Sequence, residues 1–269
     1  FMVHHAIWDG WSFDIFFEEL NIIYSALLKN TEPQFSRNPE VTYADYTLWL
    51  QQSIDEGRFD SQLKFWKAKL QGPLPVLELP ADFKRPITAS HEGATFPFQL
   101  SPEQASNLRA YAKAQGTSLF NVLLTAFKVT LSRYCNLDDI IVGSPVRARN
   151  NPKLLQTIGY FVNTVALRSH VKLSDSFEGV LKQVTRNCLE AFDNQDLPFQ
   201  VVLNNVDYAR DSGRTAIFQT FFSYQDVNNR EAIINGYPYT QINIDKASTH
   251  TDLDLWVKAN DKKIEGAFE

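Results

Sequence analysis

The sequence predicts an α/β fold in which helices pack on a mixed sheet. Amphipathic stretches with helical spacing alternate with short apolar strand signals along the 269 residues, and no repeat or low-complexity tract interrupts them. With 44% hydrophobic residues and 20 phenylalanines, the chain can bury at least one sizeable core. Its length is compatible with one large or two modest domains.

The first predicted helix follows a polar motif at residues 4–10. Apolar residues from Phe13 to Leu28 recur at helical spacing, Ser12 is placed to cap the helix, and Asn30 lies near its end. Further helices with their own periodicity and start or stop residues are predicted at 43–70 with a break near Gly57, at 101–116, at 117–133 and at 177–192. Predicted strands lie at 140–143, 160–167, 216–223 and 252–257.

Two long segments are predicted to lack regular structure. Residues 31–39 carry two prolines and form a predicted loop. Residues 71–97 carry five prolines and two glycines, which excludes a long helix and favours an extended segment that crosses other structure.

Composition excludes several classes of function. The net charge of −5 comes without a run of lysine or arginine, which argues against nucleic acid and anionic lipid as partners. No apolar stretch approaches the roughly 20 residues of a membrane span, and no signal peptide is recognisable. Cys135 and Cys188 fit neither a disulfide framework nor metal-ligand spacing. We therefore expect a cytoplasmic protein with two reduced thiols.

The chemistry-bearing residues cluster where the apolar residues 1–3, which resemble a strand, lead into the first predicted helix. His4, His5 and Asp9 lie there within six positions, followed by Gly10, which would let the backbone turn without steric cost. An accessible histidine can take a proton from an attacking amine or hold that amine by hydrogen bonding. Asp9 could orient an imidazole or pair with a buried arginine.

Two other interpretations of this turn remain open. Its polar residues could simply cap the helix and lie on the surface. Adjacent histidines with one carboxylate could also contribute to a metal site, although no helical HExxH motif is present and His91, His170 and His250 are isolated. We predict that no metal is bound.

Six segments in one order resemble elements of a known family. They are 4–10 (HHAIWDG), 43–49 (YADYTLW), 143–149 (GSPVRAR), 158–164 (IGYFVNT), 194–199 (NQDLPF) and 210–219 (RDSGRTAIFQ). They are similar to the HHxxxDG, YxDYxxW, GxPxxxR, IGxFVNT, HQDYPFE and RDxSRxPLFQ elements of the condensation domains of nonribosomal peptide synthetases. This family is related in fold and motif to chloramphenicol acetyltransferase.

The resemblance implies a chloramphenicol acetyltransferase-like fold of two lobes. Residues 1–40 would form the end of the N-terminal lobe with the histidine loop and its helix, and 41–269 the C-terminal lobe, incomplete at its C-terminus. Much of the N-terminal lobe would be missing, so we expect the chain to be cut at both ends.

The resemblance also implies a role for each motif residue. His5 would be the catalytic residue, acting as base, by positioning the amine or by stabilising the charged intermediate. His4 would be structural, facing inward and held by hydrogen bonds. Gly10 would line the approach of the acceptor amine. Asp9 would form a structural ion pair with Arg149.

Within the same motif, Arg147 is the nearby competitor of Arg149 for this pair. Trp8, Asn163 and Gln219 are candidates to line the substrate tunnel, although buried amides more often support backbone groups. The large aromatic residues of the motifs are expected to lie in the core rather than to bind substrate; they are Tyr43, Trp49 and Phe161.

The implied reaction joins two reactants that carrier proteins deliver. The amine of an acceptor aminoacyl thioester attacks a donor acyl or peptidyl thioester, each on a 4′-phosphopantetheine arm. The expected partners are the donor and acceptor peptidyl carrier proteins and a neighbouring adenylation domain. The domain would bind no cofactor of its own and act as a monomeric module within a larger synthetase.

Four related functions compete with condensation. An epimerisation domain would need a downstream Glu-Gly-His-Gly-Arg-like element, which we do not find, and a heterocyclisation domain would carry aspartates at His4 and His5. An acyltransferase with a free amine or alcohol as acceptor remains open. An inactive docking platform for modifying enzymes is the non-enzyme alternative, and such platforms commonly have a degraded histidine motif.

Overall fold

The computed structural model describes residues 2–35, 38–226, 233–238 and 247–269. Its helices are α1 (Gly10–Leu28), α2 (Tyr43–Asp55), α3 (Asp60–Lys69), α4 (Pro102–Ala114), α5 (Leu119–Cys135), α6 (Phe177–Asp193) and α7 (Phe199–Leu203). Its strands are β1 (Phe96–Gln99), β2 (Asp139–Arg147), β3 (Val162–His170), β4 (Thr220–Asp226), β5 (Ile233–Ile234), β6 (Tyr237–Pro238), β7 (Leu253–Ala259) and β8 (Ile264–Phe268). The predicted α/β fold is confirmed.

The predicted helix starts are largely confirmed by their caps. Ser101 and Gln104 form a reciprocal capping box at the start of α4, and Gly116 just beyond its end has a positive φ of 63°. Helices α2 and α3 together confirm the predicted interruption near Gly57, whose φ is 71°. Segment 71–95 has no helix, as its prolines predict.

The cap of α1 differs from the prediction. Asp9, not Ser12, is the N-cap residue, and its carboxylate accepts a hydrogen bond from the Ser12 amide at 2.8 Å. Ser12 is already inside the helix and fully buried. Both residue types favour the N-cap position, so the apolar periodicity that begins at Phe13 placed the predicted start too late.

The strands build a mixed sheet in the order β1-β8-β7-β4-β2-β3. Strands β2, β4 and β7 run parallel, whereas β8 is antiparallel to both β7 and β1. Helix α5 packs on this sheet, since Phe120 and Phe127 both contact Phe222 of β4. Strands β5 and β6 form a separate antiparallel pair, and the Asn235 amide between them donates to Asn21 of α1 at 2.8 Å.

Strand β4 begins later than predicted. Ile217 has a positive φ of 69°, and the Phe218 amide donates to the Ala216 carbonyl at 2.8 Å across it, which makes a tight three-residue turn. This turn ends before Thr220, so 216–219 cannot pair in the sheet. Strands β1 and β8 lacked a strand signal, because Pro97 and Gly266 break their short apolar patterns.

The chain separates into two compact units. The first unit comprises Phe1–Asp60, Arg147–Asn163 and Asn229–Ile244, and the second comprises Ser61–Val146, Thr164–Asn228 and Asp245–Glu269. The first contains the histidine motif, the 43–49 segment, Arg149 and most of 158–164. The boundary predicted at residue 40 concerns the lobes of a complete family domain and stays a prediction.

Three properties of the described residues concern membrane spans, metal sites and cysteine thiols. None of their helices combines the length and the hydropathy that a bilayer span requires. No group of three or more metal-ligating side chains occurs in this part of the chain. Cys135 and Cys188 are free thiols, and burial raises the pKa of Cys188 to about 11.

Candidate active site

The histidine motif folds as a short loop that leads into α1. His5–Ile7 form one turn of 3-10 helix with His4 as N-cap, and Asp9 then adopts an extended conformation before the helix starts. His4 and His5 are exposed, whereas Trp8 and Asp9 are buried. The loop therefore has a polar outer side and a buried base.

The base of the loop is an ion pair between Asp9 and Arg149. The Arg149 Nη2 atom lies 3.0 Å from Asp9 Oδ1 and 3.1 Å from Oδ2, and the two side chains, Arg149 and Asp9, are 0% and 1% exposed. Arg149 Nη1 donates to the carbonyls of Leu154 and Thr157, both at 2.6 Å. The ion pair predicted for these two residues is present in the structure.

The competitor Arg147 has a different environment. Its guanidinium lies 4.5 Å from the ring centre of Trp11, and it is exposed. The amide of Arg149 donates to the carbonyl of Arg147 at 2.7 Å, so the chain turns sharply between them and directs the two side chains differently. Burial lowers the pKa of Arg149, while hydrogen bonding to Asp9 acts in the opposite direction. The guanidinium of Arg149 stays protonated nevertheless, because arginine is not deprotonated in proteins.

Ser12 extends this buried network to the 158–164 segment. Its hydroxyl donates to Asp9 Oδ1 at 2.8 Å, and it also lies 3.0 Å from the Gly159 carbonyl and 3.1 Å from the Gly159 amide. The Phe161 amide donates to Asp9 Oδ2 at 3.2 Å. The Phe161 ring centre lies 4.0 Å from the Arg149 guanidinium. The carboxylate of Asp9 is thus held by groups from three segments of the first unit.

The two adjacent histidines have opposite hydrogen-bonding roles. The Ala6 amide donates to His4 Nδ1 at 3.1 Å, so Nδ1 of His4 must be unprotonated. The Nδ1 atom of His5 lies 2.7 Å from the Trp8 carbonyl, which can only accept, so Nδ1 of His5 must carry a proton. A neutral His5 therefore has its lone pair on Nε2. Only His5 can accept a further proton without losing its hydrogen bond.

The prediction that His4 faces inward is wrong. Its ring is exposed, because capping the 3-10 turn through Nδ1 keeps the side chain along the surface of the loop. The steric argument for Gly10 is also wrong. Gly10 is the first residue of α1 and has no positive φ, and an added Cβ would meet no described atom within 4 Å. The space over Gly10 is open.

Aromatic residues surround the loop within the first unit. Trp8 packs edge-to-face on Phe13 and Phe16 of α1, with ring centres 5.4 and 5.7 Å apart. Tyr160 lies perpendicular to His5 at 5.2 Å. Trp8 is therefore part of the packing of α1, and its predicted role in lining a tunnel stays a prediction.

The 43–49 segment supports the loop from α2. Tyr43 donates from its hydroxyl to the Tyr160 carbonyl at 2.9 Å and packs on Phe161. Burial raises the pKa of Tyr43, with smaller contributions from Tyr160 and Asp9. Phe161 is buried, as expected, but Trp49 is 48% exposed, so its predicted core position is wrong. It lies on the outer side of α2, against Tyr46.

The two candidate amides lie in different surroundings. Asn163 is half-buried at the start of β3. Gln219 is buried in the second unit, where its Oε1 accepts from the Leu77 amide at 2.8 Å and its Nε2 donates to the Thr215 carbonyl at 3.2 Å. Backbone support therefore accounts for Gln219 without a ligand. It also borders a cavity of 980 Å³ formed by segments 72–76 and 207–219.

Sequence reasoning missed three members of the site. Ser12 was seen only as a helix cap, and Tyr160 stands at a variable motif position. The sequence around Gly159 does not indicate how little space this residue has, yet an added Cβ would overlap the Tyr43 ring. The Asp-x-x-Ser spacing from Asp9 to Ser12 was the one available signal, since it allows the carboxylate to cap its own helix.

The comparison with protein families agrees with this geometry. The family model of the condensation domain matches residues 1–269, the whole chain. The fold and the matched family model thus define one class of protein, the condensation domains. The chain belongs to the condensation domain family.

Two curated relatives are named as synthase subunits. One of the subunits of the linear gramicidin synthase of Brevibacillus parabrevis is 38% identical over 225 residues, which cover 84% of this chain and 3% of that protein. Surfactin synthase subunit 1 of Bacillus subtilis (strain 168) is 36% identical over 261 residues, which cover 97% of this chain and 7% of that protein. The chain therefore spans only a small part of these relatives.

Solved structures share the fold at lower identity. The X-domain in its complex with OxyB from teicoplanin biosynthesis has a TM-score of 0.84 and 23% identity, with 99% of this chain and 60% of that chain covered. The condensation domain of the monacolin K polyketide synthase MokA has a TM-score of 0.81 and 19% identity, with 98% and 62% covered. The predicted family fold is confirmed.

Proposed function

We propose that this chain catalyses amide-bond formation between a donor acyl or peptidyl thioester and an acceptor aminoacyl thioester. The match to the condensation domain family supports this proposal, as do the two relatives named as synthases of linear gramicidin and surfactin. We propose further that carrier proteins deliver both reactants on 4′-phosphopantetheine arms. A neighbouring adenylation domain would complete a cytoplasmic synthetase in which this domain is a monomeric module.

The observation that carries the proposal is the hydrogen-bonding state of His5. Its Nδ1 is held by the Trp8 carbonyl on an exposed loop, which leaves Nε2 free to take a proton. His4 lacks this freedom, because the Ala6 amide occupies its Nδ1. Of the two motif histidines, His5 is therefore the one suited to proton transfer.

The proposed reaction requires one proton to move. The acceptor nitrogen attacks the donor carbonyl carbon, a C–N bond forms and the C–S bond breaks. The proton lost by the nitrogen must reach the departing sulfur. His5 Nε2 accepts this proton from the attacking nitrogen and returns it to the thiolate. Because an α-amine with a pKa of roughly 8 is partly neutral already, holding the amine supplies much of the acceleration.

The remaining motif residues support His5 in this proposal. Asp9 and Arg149 fix the base of the loop, and His4 shapes its turn. The open space over Gly10 leaves room for the acceptor amine. The candidates for the tunnel wall remain Trp8, Asn163 and Gln219. The proposed division into lobes remains 1–40 for the end of the N-terminal lobe and 41–269 for the C-terminal lobe.

The test is a transfer assay with defined reactants. The full-length protein that carries this chain would receive a donor carrier protein loaded with an aminoacyl thioester and an acceptor carrier protein loaded with an amino acid. Intact-mass spectrometry would measure dipeptide on the acceptor. We expect His5→Ala to lower the transfer rate about 100-fold or more, the usual range for a lost general base.

The matched control is His170→Ala, an exposed histidine at the end of β3 in the second unit. Its transfer rate should equal that of the unmodified protein. Deuterium incorporation at Cα without transfer would contradict condensation and favour epimerisation. Transfer only to a free amine or alcohol would favour an acyltransferase with a free acceptor. A loaded system with neither reaction would favour a docking platform.

A further inference from the structure

Tyr160 is the only residue of the 158–164 segment for which the family element specifies no residue type. Its side chain is 39% exposed, and its ring lies perpendicular to that of His5, with ring centres 5.2 Å apart and an interplanar angle of 83°. This edge-to-face arrangement is a favourable geometry for two aromatic rings. Tyr160 therefore forms part of the exposed surface immediately beside the proposed catalytic residue.

The backbone around Tyr160 is anchored at three consecutive residues. The Gly159 amide donates to the Ser12 hydroxyl, which in turn donates to Asp9. The Tyr160 carbonyl accepts from the Tyr43 hydroxyl at 2.9 Å, and the Phe161 amide donates to Asp9. These contacts tie Tyr160 to the same buried network that fixes the histidine loop. The position of its ring relative to His5 is consequently set by rigid neighbours.

An exposed histidine ordinarily rotates among several orientations, and ordering such a side chain costs conformational free energy. His5 has two contacts that restrict this rotation. The hydrogen bond to Trp8 holds one ring nitrogen, and Tyr160 packs against the ring itself. A hydrogen bond to one atom leaves the ring free to pivot about it, so the second contact is needed to fix the ring plane.

We propose that Tyr160 is a positioning residue that holds the His5 ring with Nε2 directed toward the reactants. This inference rests on the proposed function of His5. The aromatic ring of Tyr160 provides the contact, and the hydroxyl is not required. Replacement by phenylalanine should therefore be tolerated, whereas removal of the ring should not.

The first measurement is the kinetics of carrier-to-carrier transfer in the full-length protein. An aromatic contact of this kind corresponds to a rate effect of about 2- to 10-fold. We expect Tyr160→Ala to lower kcat by this factor with KM nearly unchanged, and Tyr160→Phe to retain kcat. Tyr24→Ala is the matched control, because Tyr24 is an exposed tyrosine of α1 in the same unit.

The second measurement does not depend on activity. With ¹³C- and ¹⁵N-labelled histidine, the imidazole signals of His5, assigned by their loss in His5→Ala, report both the position of the proton and the mobility of the ring. All variants should keep the proton on Nδ1, because the Trp8 carbonyl accepts it. The relaxation of the ring signals should show a rigid ring in the unmodified protein and in Tyr160→Phe, and a more mobile ring in Tyr160→Ala. A change in kcat without this spectral change, or the reverse, would overturn the positioning role.

The two measurements separate the failure of this inference from that of the function. Absence of peptide transfer by the unmodified protein would refute the proposed function, while the imidazole spectrum would still decide whether Tyr160 fixes the ring. Normal transfer with identical spectra for all Tyr160 variants would refute only the positioning role. Thermal unfolding of Tyr160→Ala, compared with Tyr24→Ala, shows whether the variant remains folded.

Discussion

Two buried basic side chains, one in each compact unit, differ in whether a carboxylate balances their charge. Arg149 in the first unit is paired with Asp9 and also bonds to two backbone carbonyls. Lys128 of α5 in the second unit is fully buried, and its Nζ donates to the Leu167 carbonyl at 2.6 Å and the Ser169 hydroxyl at 2.8 Å. No carboxylate of the described residues forms an ion pair with it.

The difference shows what burial does to a lysine that lacks a counter-ion, because arginine stays charged in either case. Burial lowers the pKa of Lys128 to about 7, and the positive charge of Lys69 acts in the same direction. Cys188 and Asp139 oppose this lowering of the pKa only in part. Asp139 is itself paired with Arg168, through hydrogen bonds of 2.7 to 3.1 Å. Arg149 instead stays charged and organises the histidine loop. Arg149 fixes the histidine loop through its contact with the Asp9 carboxylate, and not through burial alone.

The largest effect should come from breaking the buried pair in the first unit. Asp9→Asn preserves the shape of the side chain but leaves the Arg149 charge without its counter-ion. Removing one member of a buried pair costs about 3 to 5 kcal/mol. We expect the free energy of unfolding to fall by this amount in chemical denaturation, and peptide transfer to be lost with it.

A double variant provides the control for this prediction. In Asp9→Asn combined with Arg149→Met, no unpaired charge remains, so the protein should be more stable than with Asp9→Asn alone. A loss below about 1 kcal/mol for Asp9→Asn, in the range of an exposed ion pair, would contradict the role assigned to the pair.

How far sequence reasoning predicts such pairs depends on their distance along the chain. Asp9 and Arg149 are 140 positions apart, and local patterns contain no information about this contact. The family resemblance supplied it. Lys128 had no motif, and its place in a helical pattern did not distinguish a buried lysine from an exposed one. Its burial follows from packing against β3, which only the tertiary structure shows.

The same limit applies to the secondary structure. Helix α4 was predictable because Ser101 and Gln104 satisfy the helix start through local hydrogen bonds. Strands β1 and β8 exist because they pair with each other, and β8 also pairs with β7, which no local signal encodes. Tyr160 illustrates the site-level case, since its contact with His5 arises from the anchored 159–161 backbone.

An intermediate effect, of opposite sign, should come from the unpaired lysine in the second unit. Lys128→Met removes the cost of burying the charge but also two hydrogen bonds. Hydrophobic replacement of buried charges is often stabilising by about 1 to 4 kcal/mol. We expect Lys128→Met to be more stable than the unmodified protein at pH 6, where the folded protein must hold a protonated Lys128.

The pH dependence distinguishes this mechanism from better packing. The folded pKa of Lys128 is about 7 and its ordinary value is 10.5. Between these values the unfolded chain binds a proton that the folded chain has released, so the stability of the unmodified protein rises with pH. The advantage of Lys128→Met should therefore shrink from pH 7 to pH 10. Lys64→Met, an exposed lysine of α3, is the control. A constant advantage across this window would show that Lys128 is not neutralised in the folded protein.

The smallest effect on stability should come from breaking an exposed ion pair whose charged atoms are as close as those of the buried pair. Lys153 and Glu40 lie in the same unit, and their charged atoms are 3.0 Å apart, as are those of Arg149 and Asp9. Their side chains, however, are 57% and 64% exposed. Water and salt screen such a pair, so Lys153→Ala should change the free energy of unfolding by only about 0 to 1 kcal/mol. Measuring it in low and high salt completes the comparison, because the small effect should vanish in high salt while that of Asp9→Asn persists. An equal loss for both variants would mean that distance alone, and not burial, sets the strength of these ion pairs.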